Sequence, residues 1–271
     1  MSSRRLNSLG EMPFLDHLEE LRWRIFYMLI AVGVGTIVGF LFVQYLGIME
    51  ILIRPIRPML RDGELAYFSP ATPFFITLKL AVVVGLLLAL PVVVYQFWAF
   101  LSPGLKKEEK RVIVPSLYFG LMLFCLGVAM AYFFVLPIAL VFLAGFQQQF
   151  LAPTIEVGEY LGFVTRILIA FGAVFELPVV VLILSVLGIV TPDFMRSKRR
   201  HSIVAITVLS SLLTPGDIAS TVMMMGPMMI LYEVSIFISV AIYRRKQAVE
   251  EPSIVGASTE PPAGAVGAEG P

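Results

Sequence analysis

Cysteine is almost absent from this chain and charge is scarce. The single Cys125 stands in an apolar run, so no intrachain disulfide is possible and the redox compartment leaves no trace. With two histidines, His17 and His201, and no HExxH or CxxC spacing, no metal site is expected. There is likewise no GxSxG and no Gly-rich phosphate loop, so hydrolytic and nucleotide chemistry lack their usual signatures. Only 14% of residues are charged, whereas 58% are hydrophobic and mean hydropathy is +0.90. These values lie outside the range of a soluble domain and specify an all-α integral membrane protein. A bilayer core of about 30 Å needs about 20 consecutive apolar residues per helix, and the chain supplies such runs repeatedly.

Apolar segments run from about Ile25 to Gly47, Phe74 to Phe100, Val112 to Ala144, Tyr160 to Val190, Ser202 to Leu213 and Ile218 to Tyr243. The fifth is short for a span, but the Thr214-Pro215-Gly216-Asp217 turn separates it from the sixth, which predicts a close hairpin. Charge supports six rather than five. Fifteen of the twenty Lys and Arg lie before the first span, after the second, after the fourth and at the end, whereas only Arg54, Arg57 and Arg61 occupy loops on the other side. Lys79 and Arg166 sit near span ends and read as snorkelling residues. The positive-inside rule then places both termini in the cytoplasm, which requires an even number of crossings.

Residues 1–24 read as a cytoplasmic entry segment, 25–245 as the six-span domain, and 246–271, rich in Pro, Gly, Ala and Glu, as a disordered tail. "SRRLN" near the start superficially resembles an export signal. The acidic "EMPFLDHLEE" that follows and the lack of a convincing cleavage site predict an uncleaved first span.

Polar residues are the informative ones in such a chain. "FLDHLEELRWR", Phe14 to Arg24, places Phe14, Leu18, Leu21 and Ile25 at helical spacing with acids and arginines on the other faces, which makes an amphipathic entry helix. Its acidity is unusual, because anionic lipid headgroups repel carboxylates. "YQFWAFLSPGLKKEEKR", Tyr95 to Arg111, carries an interfacial aromatic belt into a Ser-Pro-Gly turn and a mixed-charge run. In "IAFGAVFELPVVVLIL", Glu176 stands inside the fourth span, two residues before Pro178. A central acid costs about 3 kcal/mol on insertion scales, so it faces a cavity, a partner or a polar neighbour, is protonated, or serves the Pro178 kink. Glu233 in the last span reads as a packing or local-bond residue, and Gly35 with Gly39 forms a GxxxG for close helix approach.

In this order, "HLEELRWR", "YQFWAFLSPGL" with "EEKR", "AYFFVLP", "FGAVFELP", "TPD" at Thr191 and "LLTPGD" at Leu212 resemble the TatC family, subunits of the twin-arginine protein translocase, over about residues 12 to 245. The family commonly reads Thr-Pro-Pro-Asp and then a Ser-Gln pair where this chain has "TPGD" and Ser220-Thr221, and the tail has no counterpart. The resemblance implies a receptor and core subunit, with no cofactor and no nucleic acid. It would bind the paired arginines of signal peptides and recruit TatA, TatB and other TatC copies in the cytoplasmic membrane, exporting folded proteins at the expense of the proton-motive force. It implies a curved, concave array of six spans. Glu20 and Glu109 match the recognition glutamates. Arg22, Lys110 and Arg111 would keep them ionised and in place, and Trp98, Phe100 and Pro103 would floor the site. Glu176 would face a TatA or TatB helix, and Pro55, Tyr132 and Asp217 would matter for transport, the prolines of "RPIRP" also stiffening their loop. Carboxylates suit such a ligand because a guanidinium fork pairs bidentately with them.

The rival from another class is a proton- or ion-coupled transporter or channel with Glu176 as its ion site. No internal repeat supports it. An intramembrane protease would need a Ser-His or paired-Asp constellation within spans, and none is visible.

Overall fold

The computed structural model describes residues 14–60, 65–102, 107–145, 154–213 and 218–255. Pro103, Asp217 and residues 256–271 lie outside them. The described residues are helical almost throughout. Helix α1, Phe14–Tyr45, fuses the predicted entry helix and first span into one rod of 32 residues. Gly47, at φ 65°, turns the chain in a conformation that glycine adopts without strain, and opens the short α2, Ile48–Ile53. A 3₁₀ turn over Arg57–Met59 follows. Helices α3 (Thr72–Leu101) and α4 (Lys107–Met130) form the next pair of rods. After α4 the chain widens into a π turn, Ala131–Val135, before α5, Leu136–Gly145. Pro137 explains the widening: it has no N–H to donate into the preceding turn, and the Leu136 N–H reaches back five residues to the Ala131 carbonyl.

The fourth predicted span is two helices, α6 (Val157–Phe175) and α7 (Leu177–Val186), with Glu176 as the joint. Pro178 again supplies the cause, since it cannot donate to the Val174 carbonyl. The Glu176 N–H tightens onto Ala173 O at 3.2 Å instead. The short α8, Pro192–Ser197, is capped by the Thr191 hydroxyl, which accepts from the Phe194 N–H at 3.2 Å. Helices α9 (Arg199–Leu213) and α10 (Ile218–Val255) complete the chain. Helix α10 runs on to Val255, into the segment expected as the tail. Extending an existing helix adds a bond per residue without a new nucleus, and Lys246, Gln247 and Ala248 are good helix formers.

Among the described residues, five helical stretches are long and apolar enough to cross a membrane: His17–Tyr45, Thr72–Phe100, Glu109–Leu143, Val157–Val186 and Met224–Arg244. The expected fifth span corresponds to α9, whose 15 residues rise about 22 Å, short of a bilayer core of about 30 Å.

The helices pack as a row: α1 lies on α3, α4 on α6 and α7, and α10 on α7 and α9. Backbone contact joins α1 to α3. A Cβ on Gly85 would lie 2.6 Å from the Gly35 carbonyl carbon, and one on Gly39 would lie 2.8 Å from Gly85 N, so only glycines allow this approach. Between α4 and α6 the glycines seat rings, Gly127 beneath Phe175 and Gly172 beneath Phe124. Buried hydroxyls join α7 to α10 through Ser185 and Ser239 at 3.0 Å. Phe133, Phe134, Ile37 and Phe237 point outward instead, each at least 66% exposed, as lipid-facing side chains do.

Candidate functional site

At the end of the row where α1 begins, α3 ends and α4 begins, the structure gathers the residues of the two acidic and aromatic motifs. The antiparallel approach of α1 and α3, fixed by their glycines, sets His17, Glu20 and Arg24 against Gln96 and Phe100. The His17 ring stacks on the Phe100 ring with centroids 4.4 Å apart and planes 12° from parallel. Glu20, only 24% exposed, is held by Arg24 of the next turn, whose Nε donates to Oε1 at 3.0 Å and whose Nη2 donates to the same oxygen. The guanidinium also crosses to α3, its Nη1 donating to Gln96 Oε1 at 3.3 Å. The other Glu20 oxygen, Oε2, is buried and, among the described residues, has no hydrogen bond; His17 Nδ1 stands 3.9 Å from it.

Arg22, expected to steady the acid, is exposed to solvent, and Arg24 holds Glu20 instead. Glu109 lies half-buried in the first turn of α4, where the unpaired N–H groups of a helix start favour an acid. Lys110 is half-buried beside it and Arg111 exposed. Trp98 and Phe100 point to different neighbours. Phe100 meets α1 through His17, whereas Trp98 packs against the cluster of Ile113 in α4 and Val186 in α7, its indole Nε1 buried and without a hydrogen-bond partner among the described residues.

A second group lies along α6. Glu176 is half-buried at the α6/α7 joint, and its carboxylate rests on the α4 backbone at Gly120, where an added Cβ would stand 2.6 Å from Oε2. Lys79 of α3 reaches toward Gly162, with Nζ 3.3 Å from where a Cβ would be, and both Lys79 and Arg166 are exposed. Glu233 on α10 pairs with Arg199 of α9 at 2.8 Å, a bond between elements rather than within the span.

The third group is at the opposite end, around α2. Pro55 cannot donate to the Ile51 carbonyl four residues back, and the Tyr132 hydroxyl does so at 2.7 Å. The Ile56 N–H turns to Ile53, and the Tyr160 hydroxyl donates to the Leu52 carbonyl at 2.7 Å. The Arg54 N–H also reaches the Ile51 carbonyl, at 3.3 Å, and the Tyr132 bond ties the π turn to the helical position that Pro55 leaves without a donor. Arg24, Gln96 and Tyr160 were not singled out in the sequence. Only the Glu20-Arg24 spacing of four carried a local signal for the first; the other two depend on contacts between distant segments.

The family model for Sec-independent protein translocase protein (TatC) matches residues 16–227. The TatC of Aquifex aeolicus is 39% identical over 242 residues, covering 89% of this chain and all of that one. The TatC of Escherichia coli K12 is 38% identical over 230 residues, covering 84% of this chain and 88% of that one. A crystal structure of a twin arginine translocase receptor TatC superposes with a TM-score of 0.75 at 40% identity, covering 84% of this chain and 99% of that one. A glutamate-bearing entry helix, an intramembrane glutamate at a proline break and these relatives agree, and the chain belongs to the TatC family of protein translocase components.

Proposed function

We propose that this protein is the receptor and core subunit of a twin-arginine translocation system, with Glu20 and Glu109 receiving the paired arginines of a signal peptide. The observation that carries this reading is the half-buried Glu20 at the α1–α3 end, one turn from the His17 that stacks on Phe100 and on the same end as Glu109. A carboxylate partly withdrawn from water pairs with a guanidinium more strongly than an exposed one. The six spans comprise the five long helices and α9, with both termini cytoplasmic and the row curved so that Glu176 faces its concave side. There Glu176 receives a polar group of a TatA or TatB helix, and folded cargo leaves the cytoplasmic membrane at the expense of the proton-motive force.

The test is the affinity of the purified protein for Arg-Arg and Lys-Lys signal peptides, in the wild type and in Glu20→Lys and Glu109→Lys. Either lysine places a cation where a guanidinium must sit, so Arg-Arg affinity should fall at least ten-fold and further than with alanine. The Lys-Lys peptide should bind less well to the wild type, because an ammonium lacks the planar fork. Equal affinities throughout would reduce the acidic cluster to an interfacial anchor.

A further inference from the structure

We propose that Arg24 is an internal competitor for the Glu20 carboxylate: its guanidinium occupies Glu20 in the peptide-free protein, and a signal-peptide arginine binds by displacing it. This rests on the receptor reading above.

The pairing of Arg24 with Glu20 is incomplete in a way that suits displacement. Two nitrogens of Arg24 donate to Oε1, with Nε at 3.0 Å, while Oε2 is buried and has no hydrogen bond among the described residues. A carboxylate has about four acceptor sites over its two oxygens, and a fork-on guanidinium engages both oxygens with parallel bonds. An arginine arriving from outside the helix is free to take that fork geometry. Arg24 is anchored four residues along the same helix and approaches from the side. It also has an alternative partner, Gln96 Oε1, to which Nη1 already donates at 3.3 Å. Released from Glu20, its guanidinium keeps a hydrogen bond to α3. His17 Nδ1, 3.9 Å from Oε2, is beyond hydrogen-bond reach, and its ring is stacked on Phe100.

Occupation by Arg24 has a definite thermodynamic signature. The apparent dissociation constant equals the intrinsic one divided by the fraction of molecules in which Glu20 is free. Removing the competitor raises that fraction for every cationic ligand alike. Arg-Arg and Lys-Lys peptides should therefore tighten by the same factor, with the ratio between them unchanged. A residue that merely orients Glu20 gives the opposite sign, because its loss lets the acid swing away. Loss of a positive charge alone would act in the same way from a neighbouring position, and Arg22, exposed two residues earlier, measures that contribution.

The experiment is fluorescence anisotropy of labelled Arg-Arg and Lys-Lys signal peptides with the full-length protein in detergent, comparing wild type with Arg24→Gln, Arg24→Lys, Arg22→Gln and Glu20→Gln. Arg24→Gln should tighten both peptides about three- to ten-fold, and Arg22→Gln less than about two-fold. Unchanged or weaker binding in Arg24→Gln, with Glu20→Gln weakening it, overturns the competitor and leaves the receptor reading standing. An equal gain in Arg22→Gln and Arg24→Gln overturns it in favour of simple repulsion. Unaltered binding in Glu20→Gln overturns the receptor reading and the competitor with it. If Arg24→Gln aggregates, Arg24→Lys decides, since it keeps the charge and loses the two-nitrogen grip. A gain of at least two-fold supports the inference, and no gain overturns it.

Discussion

Tyr132 and Tyr160 show how single side chains repair a backbone that proline has broken. Each hydroxyl answers a carbonyl of α2 that lacks its helical donor, Ile51 because Pro55 has no N–H and Leu52 because the chain has already turned. Tyr132→Phe should therefore destabilise the protein by about 1 kcal/mol, measured by denaturant or thermal unfolding in detergent. In a Pro55→Ala background, residue 55 regains an N–H for Ile51, and the same substitution should cost less. Equal losses in both backgrounds would break the proposed link between the tyrosine and the proline. Glu176 poses a different problem. Among the described residues its carboxylate makes no hydrogen bond, and it rests on Gly120 at a helix joint within a span, an unfavourable place for an unsatisfied acid. Glu176→Ala should leave the protein inserted while weakening co-purification of TatA or TatB in mild detergent, with Glu176→Gln milder. Undiminished association would leave Glu176 only its place in the Pro178 break.

Helix pairs are set by glycines whose role depends on the facing element. Gly35 and Gly39 form a motif visible in α1, but the third member, Gly85, lies on α3 and has meaning only because the two helices meet there. Gly85→Val should force α1 and α3 apart, since the obstructed atoms are backbone, which cannot move as a flexible side chain can; the loss should be at least about 2 kcal/mol, with less folded protein recovered. Gly33→Ala is the control. Nothing lies within 4 Å of the added Cβ, and the change should be neutral or stabilising by up to about 1 kcal/mol. A Gly85→Val protein as stable as the Gly33→Ala protein would mean that the close approach is not needed. The breaks were partly legible as well. Pro137 and Pro178 announce an interruption, but whether the chain answers with a π turn, as before Pro137, or with two helices joined at Glu176, depends on what each segment packs against.

Across the whole molecule, large apolar side chains face outward while serines such as Ser185, Ser210, Ser235 and Ser239 are buried, the reverse of a water-soluble arrangement. That pattern fits a bilayer as solvent, and the topology proposed for it can be read directly. In a Cys125→Ser background, because Cys125 is exposed, single cysteines near Gly63 or Thr154 should react with an impermeant thiol reagent from outside, and one after Lys246 should not. Labelling after Lys246 from outside would leave α9 within one leaflet and the count at five.

Composition and periodicity determined the helical, membrane-bound class of the chain, because lipid obliges each spanning segment to satisfy its own backbone, and a run of apolar residues leaves little alternative. The quoted motifs likewise determined its family, since they lie in local order along the chain. Tertiary structure alone decided that Arg24 also reaches Gln96 of α3, that Phe100 and Trp98 serve different helices, and that Pro55 and Tyr132 belong to one arrangement. The bonds from Arg24 to Gln96 and from Tyr132 to Ile51 join residues 72 and 81 positions apart, and nothing in either segment states which face of the other it will meet until both helices are packed.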